Sequence, residues 1–337
     1  MTRFRTSVTT LAAALGLGAS LVLPGAWLSP AQAAAFVCDE TPSTSADAGV
    51  LDYPGPSASR VYDTRFERGF AIEPQVLRNY VPQGLAVWKN WVDGQDVFLQ
   101  TAYDPAGGNS IIYGTVAGAG LYMGAIPVAA GHGGGSAVSG RRAFVEGNGT
   151  IRRYDLTEVR ERFRSGNPGR YLAYDGVHPL TNGAEADFLA SDGGHIYAGK
   201  HNLDDRDYMY RYAVDPASGA LDRGARIRIP KRTQGLAVLD DHFVFATSRY
   251  RDNKSNIYVA RRGYGDTDAG LEANARCFAA PSMVEGMALW ERDGLNRVYA
   301  VYESGAYYYN SGLDDPRNPI DHAHWTTSVS MVNWFNS

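Results

Sequence analysis

Cysteine is scarce in this chain: only Cys38 and Cys277 occur among 337 residues. No Cys-x-x-Cys pair exists to build a thiolate zinc site or a dithiol redox centre. A Gly-Lys-Ser/Thr phosphate loop, a dinucleotide glycine fingerprint and a Gly-x-Ser-x-Gly nucleophile elbow are missing as well, which argues against P-loop, nicotinamide, flavin and serine-esterase chemistry. Nor is there a surplus of positive charge, since 32 Lys and Arg face 36 Asp and Glu for a net charge of −4. Such a chain has no electrostatic hold on nucleic acid or an anionic membrane. Beyond the first 34 residues no stretch approaches the roughly 18 apolar residues of a membrane-spanning helix. What remains is a chain 44% hydrophobic, 12% aromatic and 20% charged, long enough for one large or two ordinary domains with a packed, sheet-rich core.

The N-terminus reads as an export signal. Arg3 and Arg5 precede an apolar stretch from about Val8 to Leu23, and Ala31-Gln32-Ala33 forms a small-x-small cleavage site. Gly16, Gly18, Pro24 and Gly25 interrupt the run, so residues 1–34 are expected to be a secretory signal peptide rather than a membrane anchor, and no Arg-Arg pair marks the twin-arginine route. Its removal makes the chain more acidic and leaves a secreted, extracellular protein with no membrane attachment. In an oxidising compartment the two cysteines are expected to bridge. The Ser-, Pro-, Ala- and Gly-rich segment Pro42–Ser59 reads as irregular, so residues 35–74 are taken as an extended lead-in.

An internal repeat sets the architecture. The phrases Val81–Val87 (VPQGLAV), Arg232–Val238 (RTQGLAV) and Met283–Leu289 (MVEGMAL) recur, with weaker copies at Gly134–Val138 and Glu185–Leu189. Aligned on Gln83, Gly134, Glu185, Gln234 and Glu285, the period stays near 50 residues. Each phrase is followed by a turn, a second strand (Asp96–Thr101, Arg142–Val145, His195–Gly199, His242–Thr247, Arg297–Tyr302) and a third (Ser110–Gly114, Thr150–Tyr154, Tyr208–Val214, Ser255–Ala260, Ala306–Tyr309). A fourth is visible at Leu121–Val128 and Ala225–Ile229. Five units of four strands predict an all-β, five-bladed β-propeller over residues 75–337. Its ring should be closed by an N-terminal strand, Gln75–Tyr80, completing blade five, with the Cys38–Cys277 bridge clamping that end. Val159 and Phe163, at i and i+4, predict one short helix over Thr157–Arg164.

The phrases VPQGLAV, RTQGLAV and PSMVEGMAL, with AVYESGAYYY after the last, resemble a family of secreted actinobacterial proteins, a likeness running over about residues 60–310. That family is uncharacterised, so the resemblance implies export and a propeller and carries over no catalytic residue.

Inner strands line a propeller's channel and alternate residues share a face. One ring is therefore expected from Gln83, Gly134, Glu185, Gln234 and Glu285, and the next from Leu85, Ser136, Asp187, Leu236 and Met287. Converging carboxyls must be paired, protonated or bound to a cation. Three readings stay open. Gln83, Glu185, Asp187, Gln234 and Glu285 offer the all-oxygen donor set of a hard cation such as calcium, by analogy with five-bladed calcium-dependent nucleotidases. Glu185 and Glu285 could instead face each other as the acid and base of a glycoside hydrolase. The third reading is a hydrogen-bonded structural plug.

A second set lies at the ends of the second strands: Tyr103 and Asp104, Glu146 and Asn148, His201 and Asn202, Arg249 and Tyr250, Tyr302 and Glu303. His201, Arg249 and Tyr250 have the chemistry of a polysaccharide lyase, in which Arg neutralises a uronate and Tyr or His moves the proton. His132, within Gly131–Gly135, adds an imidazole on a flexible channel lip, and Tyr103, Tyr302 and Glu303 would help bind substrate. His322 and His324, which with Asp321 could suit zinc, read as a surface pair because no further ligand is identified. The expected partner is an extracellular glycan or another small polar ligand, bound with or without cleavage.

Overall fold

The computed structural model describes residues 36–43, 58–166, 168–310 and 319–337; the expected signal segment, residues 1–34, lies outside them. Five four-stranded antiparallel sheets form the five blades of a β-propeller. From the channel outward, blade one runs Val81–Val92, Gln95–Tyr103, Ser110–Val116 and Tyr122–Val128, and blade two runs Ser136–Ser139, Arg142–Glu146, Thr150–Asp155 and Gly176–Pro179. Blade three is Phe188–Ser191, His195–Gly199, Asp207–Val214 and Leu221–Ile229, and blade four is Thr233–Val238, His242–Thr247, Ser255–Arg261 and Ala275–Ala280. Blade five takes Val284–Arg292, Leu295–Tyr302 and His322–Thr327 from the C-terminal end and Glu67–Ala71 from the N-terminal end.

No single core exists; each junction between neighbouring blades has its own. Phe98, Leu85, Trp290 and Tyr299 pack between blades five and one, and Val97, Leu99, Tyr154 and Phe163 between one and two. Phe144, Ile151, Ile196 and Tyr212 fill the next junction, Phe188, Tyr197, Phe243 and Phe245 the fourth, and Val244, Phe278, Val298 and Tyr302 the last. Middle strands touch a neighbour on both faces, which is why His242–Thr247 is buried throughout, whereas in the outer strand Leu221–Ile229 only Ile229 is buried.

The channel is narrow because glycines let inner strands approach each other. A Cβ on Gly135 would stand 2.0 Å from Leu189 N, and one on Gly286 would stand 2.5 Å from Gln83 O. These contacts reveal a two-residue slip in the repeat alignment. In blade three Phe188 occupies the glycine position, and its ring is accommodated by Gly199 opposite, where a Cβ would meet Phe188 Cζ at 2.3 Å. Asp187, not Glu185, is therefore the equivalent of Gln83, and Leu189 rather than Asp187 stands in the layer beneath.

Two strand expectations are corrected. Gln75–Tyr80 is not the closing strand: Pro74 opens a helix, Pro74–Asn79, that buries Val76 and Leu77. Closure belongs to Glu67–Ala71, inside the segment expected as lead-in, with Glu67 opposite Trp325 and Ala71 opposite His322. Ala306–Tyr309 is not a third strand either; Tyr307–Asn310 is a helical turn, and His322–Thr327 takes the third place. The expected short helix is present as Leu156–Arg164, capped by Asp155, whose Oδ1 accepts from Thr157 N, with Val159 and Phe163 buried. A C-terminal helix, Ser328–Asn336, lays Trp334 edge-on against Phe278 at 4.7 Å.

Cys38 and Cys277 are disulfide-bonded. The bridge ties the N-terminal segment to the outer strand of blade four rather than to blade five, and Asp39 pairs with Phe278 along that edge, with Asp39 N donating to Cys277 O at 2.8 Å. Chain entropy sets a ceiling of roughly 5 kcal/mol for so long a closure. Reduction also frees the native segment it tethers, so a loss of about 2 kcal/mol is expected, or about 5 °C in Tm. Melting with and without a reductant checks this; an unchanged Tm would refute it.

Candidate functional site

One mouth of the channel gathers the starts of the inner strands and the ends of the second strands, because these are antiparallel. From blade five come Glu285, on the inner strand, and Glu303, one residue past the second. Both are buried, Glu285 with 1% of its surface exposed. Blade one brings Gln83, also 1% exposed, whose Nε2 donates to Glu303 Oε1 and, at 3.0 Å, to Pro82 O. Blade four brings Gln234, whose Nε2 donates to Glu285 Oε1 at 3.2 Å. Because Pro82 O can only accept, the Gln83 amide is fixed with its Oε1 turned away from that carbonyl.

The two carboxyls form a side-by-side pair. Burial raises both: Glu303 is pushed up to about 7, with hydrogen bonds from Gln83 and Tyr309 pulling the other way. Glu285 is pushed well above the carboxylate range by burial and by its proximity to Glu303. Neither has a basic hydrogen-bond partner among the described residues. Two oxygens in this wall, Glu285 Oε2 and Gln83 Oε1, are buried without a hydrogen-bond partner among the described residues.

Aromatic rings surround the pair. Tyr309 hydrogen-bonds Tyr103 hydroxyl to hydroxyl at 3.2 Å, and burial pushes Tyr103 up to about 12. His132, on the lip, stacks on Tyr103 with ring centroids 4.7 Å apart and planes 26° apart, which takes its ring partly out of water. Arg251 Nη1 donates to Tyr309 O at 2.6 Å and so ties the Tyr307–Asn310 turn to blade four. Across the mouth, Asp187 Oδ2 accepts from His201 N at 2.7 Å and is pushed up to about 6 by burial, with Glu185 and Glu146 adding to the rise. Burial lowers the pKa of both His132 and His201, so the two imidazoles are neutral at pH 7.

The expected residues divide as follows. Gln83, Asp187, Gln234 and Glu285 share the ring, and Tyr103, Glu303, His132 and His201 join them at the mouth. Glu185 leaves the set: its side chain is 40% exposed and bonds Lys200 Nζ at 2.6 Å, so no Glu185–Glu285 acid and base face each other across the channel. Glu146 serves the loop, accepting from Gly133 N at 2.8 Å. Arg249 lies beside Tyr250, its Cζ 5.9 Å from the ring centre, and Tyr250 is 61% exposed on the rim. His201 Nε2 faces Ser248 O at 3.4 Å, and no hydrogen bond among the described residues joins it to Arg249 or Tyr250.

Tyr302 points away from the mouth. Its hydroxyl meets Tyr62, which also contacts His324 Nδ1; His324 Nε2 is 3.1 Å from His322 Nε2, and His322 Nδ1 is 2.7 Å from Asp321 Oδ1. His322 and His324 are therefore not a surface pair. At 5% and 0% exposure they lie inside blade five, where burial lowers the pKa of both. Tyr309 was missed as a site residue because its run of tyrosines reads as a strand. Among the described residues no three of His, Cys, Asp and Glu come together as a metal-holding group.

The far end of the channel is different in kind. A cavity of about 280 Å³ is walled there by Leu85, Val87, Leu236, Val238, Met287 and Leu289, with Asp192 and Arg262 at its edge. Lys89, Asp240 and Glu291 also line it, so this end carries charges of both signs around an apolar centre, whereas the other end carries the buried carboxyl pair.

Fold and mouth together define a five-bladed propeller with a buried acid pair under an aromatic lip. No protein-family model and no curated protein matches the chain. Among solved structures it is similar to the hydrazine synthase of Kuenenia stuttgartiensis, at 10% identity over 69% of this chain and 59% of that one, with a TM-score of 0.38. It is also similar to a putative 6-phosphogluconolactonase from Bacteroides uniformis, at 16% identity over 60% of this chain and 58% of that one, with a TM-score of 0.33. A computationally designed protein, Ika8, is similar at 14% identity over 71% of this chain and 72% of that one, with a TM-score of 0.30. The chain thus spans less than three-fifths of the length of the first two, and no chemistry transfers at such distance.

Proposed function

We propose that this protein is an exported glycan-binding propeller whose ligand docks at the Glu285–Glu303 mouth. The observation that carries the reading is the pair of buried acceptors without partners, Glu285 Oε2 and Gln83 Oε1, beneath the flat Tyr103–His132 stack. Buried acceptors call for donors, sugars are dense in hydroxyl donors, and aromatic faces stack on sugar rings. The disulfide fits an oxidising compartment, and no helix among the described residues is long and apolar enough to cross a membrane. Binding is favoured over hydrolysis because both acids stand on one wall, in one blade, rather than flanking a glycosidic bond. The lyase trio is favoured less, since Tyr250 and Arg249 engage each other on the rim.

A glycan array followed by titration of the best ligand tests this. Tyr103→Ala is expected to weaken binding about ten-fold, the loss typical of an aromatic anchor. Absence of binding to any saccharide, or binding untouched by Tyr103→Ala, would overturn the reading.

A second reading is calcium at the Glu285–Glu303 pair, favoured by the two open oxygens Glu285 Oε2 and Gln83 Oε1. It predicts that EDTA lowers Tm and calcium restores it. An EDTA-insensitive Tm would remove the ion and leave the organic ligand.

A further inference from the structure

The mouth is unevenly supplied with charge. Glu285 and Glu303 pair there, with Asp187 on another blade, while the cations nearby are engaged elsewhere: Lys200 on Glu185, Arg232 Nε on Leu203 O at 2.8 Å, Arg251 on Tyr309 O, and Arg249 over Tyr250. Gln83 and Gln234 each give one N–H to the pair, which leaves Glu285 Oε2 and Gln83 Oε1 still open. Both lie at the starts of inner strands, where the ladder to the second strand is irregular between Pro82 and Leu85 and between Val284 and Met287.

A sugar hydroxyl brings one donor and no charge to such a place. An ammonium brings three N–H donors and the positive charge that a buried carboxyl pair lacks. Tyr103, stacked on one face by His132 and held at its hydroxyl by Tyr309, brings no compensating positive charge to the pair. Tyr309 is bonded to both Glu303 and Tyr103 beside the pair.

We propose that the ligand of this mouth is an amino sugar with an unsubstituted nitrogen, its ammonium held by Glu285, Glu303 and Gln83. The inference rests on the glycan-binding reading and narrows it. An N-acetylated nitrogen has no charge and one N–H, so it cannot satisfy the pair. Burial pushes Glu303 up to about 7 and Glu285 well above the carboxylate range, so an arriving ammonium has to draw the pair towards its ionised form; Asp187, raised to about 6, and the neutral imidazoles of His132 and His201 are the other titrating groups at the mouth.

The test is calorimetric titration of the full mature protein with four probes: a glucosamine oligomer, its N-acetylated form, a cello-oligosaccharide of equal length, and a plain diamine. The free-amine oligomer is expected to bind at least ten-fold more tightly than the other two saccharides at pH 7.5. A Glu285→Gln/Glu303→Gln double variant should lose the preference, with its Tm at pH 7.5 showing that it is folded. If the neutral saccharides bind as well as the amine, the amino-sugar inference falls and glycan binding stands. If the diamine alone binds, the glycan reading falls and takes the sugar part with it. If nothing binds, both are overturned.

Discussion

Glu303→Gln is expected to raise the melting temperature at pH 8 by about 5–10 °C and to change it little at pH 4.5. The folded chain holds the Glu303 proton up to about pH 7 because the carboxyl is buried, whereas the unfolded chain releases it in the ordinary range near 4.5. The folded state therefore binds the proton more tightly, the stability this confers is complete below about 4.5, and it is lost as pH rises through about 7. A difference of 2.5 pH units corresponds to about 3 kcal/mol. Glutamine keeps the acceptor for Gln83 Nε2 and carries no charge to desolvate. Denaturant titrations of wild type and variant from pH 4.5 to 8.5 decide the matter: a wild type whose stability does not fall across that range refutes the buried, proton-holding pair.

Gly135→Ala is expected to destabilise the protein by about 3 kcal/mol or to prevent folding. Its Cβ would lie 2.0 Å from Leu189 N and 2.5 Å from Phe188 C, atoms of the neighbouring blade's backbone that cannot rotate aside. In an open sheet the strands could spread, but in a closed ring a wider gap between blades two and three has to be absorbed by the other four junctions. Gly194→Ala is the control, since its nearest atom, Asp192 Oδ1, is 3.9 Å away, and it should change stability by less than about 1 kcal/mol. Chemical denaturation of the two variants side by side would overturn the tight-ring account if they proved equally stable.

The glycine contacts explain what was legible. Gly84, Gly135, Gly235 and Gly286 mark four of the five inner strands, so the repeat and the fold could be read from the recurring phrases. Blade three breaks the phrase because Phe188 fills the glycine's place and Gly199 compensates on another strand. That exchange depends on pairing across strands, and nothing local in Glu185–Leu189 announces it. Blade five misled for a different reason. Residues 303–321 intervene between its second and third strands, and the tyrosine run within them has strong strand propensity yet is bent into a turn that places Tyr309 over Glu303. The closing strand, Glu67-Arg68-Gly69-Phe70-Ala71, is short and polar at its start, with the weak pattern of an outer edge.

At the site, Gln83, Gln234, Asp187 and Glu285 were readable as channel residues, and Glu303, Tyr103, His132 and His201 as residues of the mouth. That Glu285 and Glu303 form one pair was not readable, because it depends on where the second strand of blade five ends relative to the first. His322 and His324 looked exposed because their partners, Tyr62 and Tyr302, are distant in sequence.

The closure of blade five also fixes an order of assembly. Glu67–Ala71 is made before any blade, and its partner His322–Thr327 follows roughly 250 residues later. Until then the early strand is an unsatisfied edge, and four blades can form while the circle stays open. The final step is a long-range capture with a large loop-closure cost, a kinetic bottleneck in an otherwise locally connected chain. A product cut short before His322 would lose more than a strand. It would leave the first strand with nothing to join.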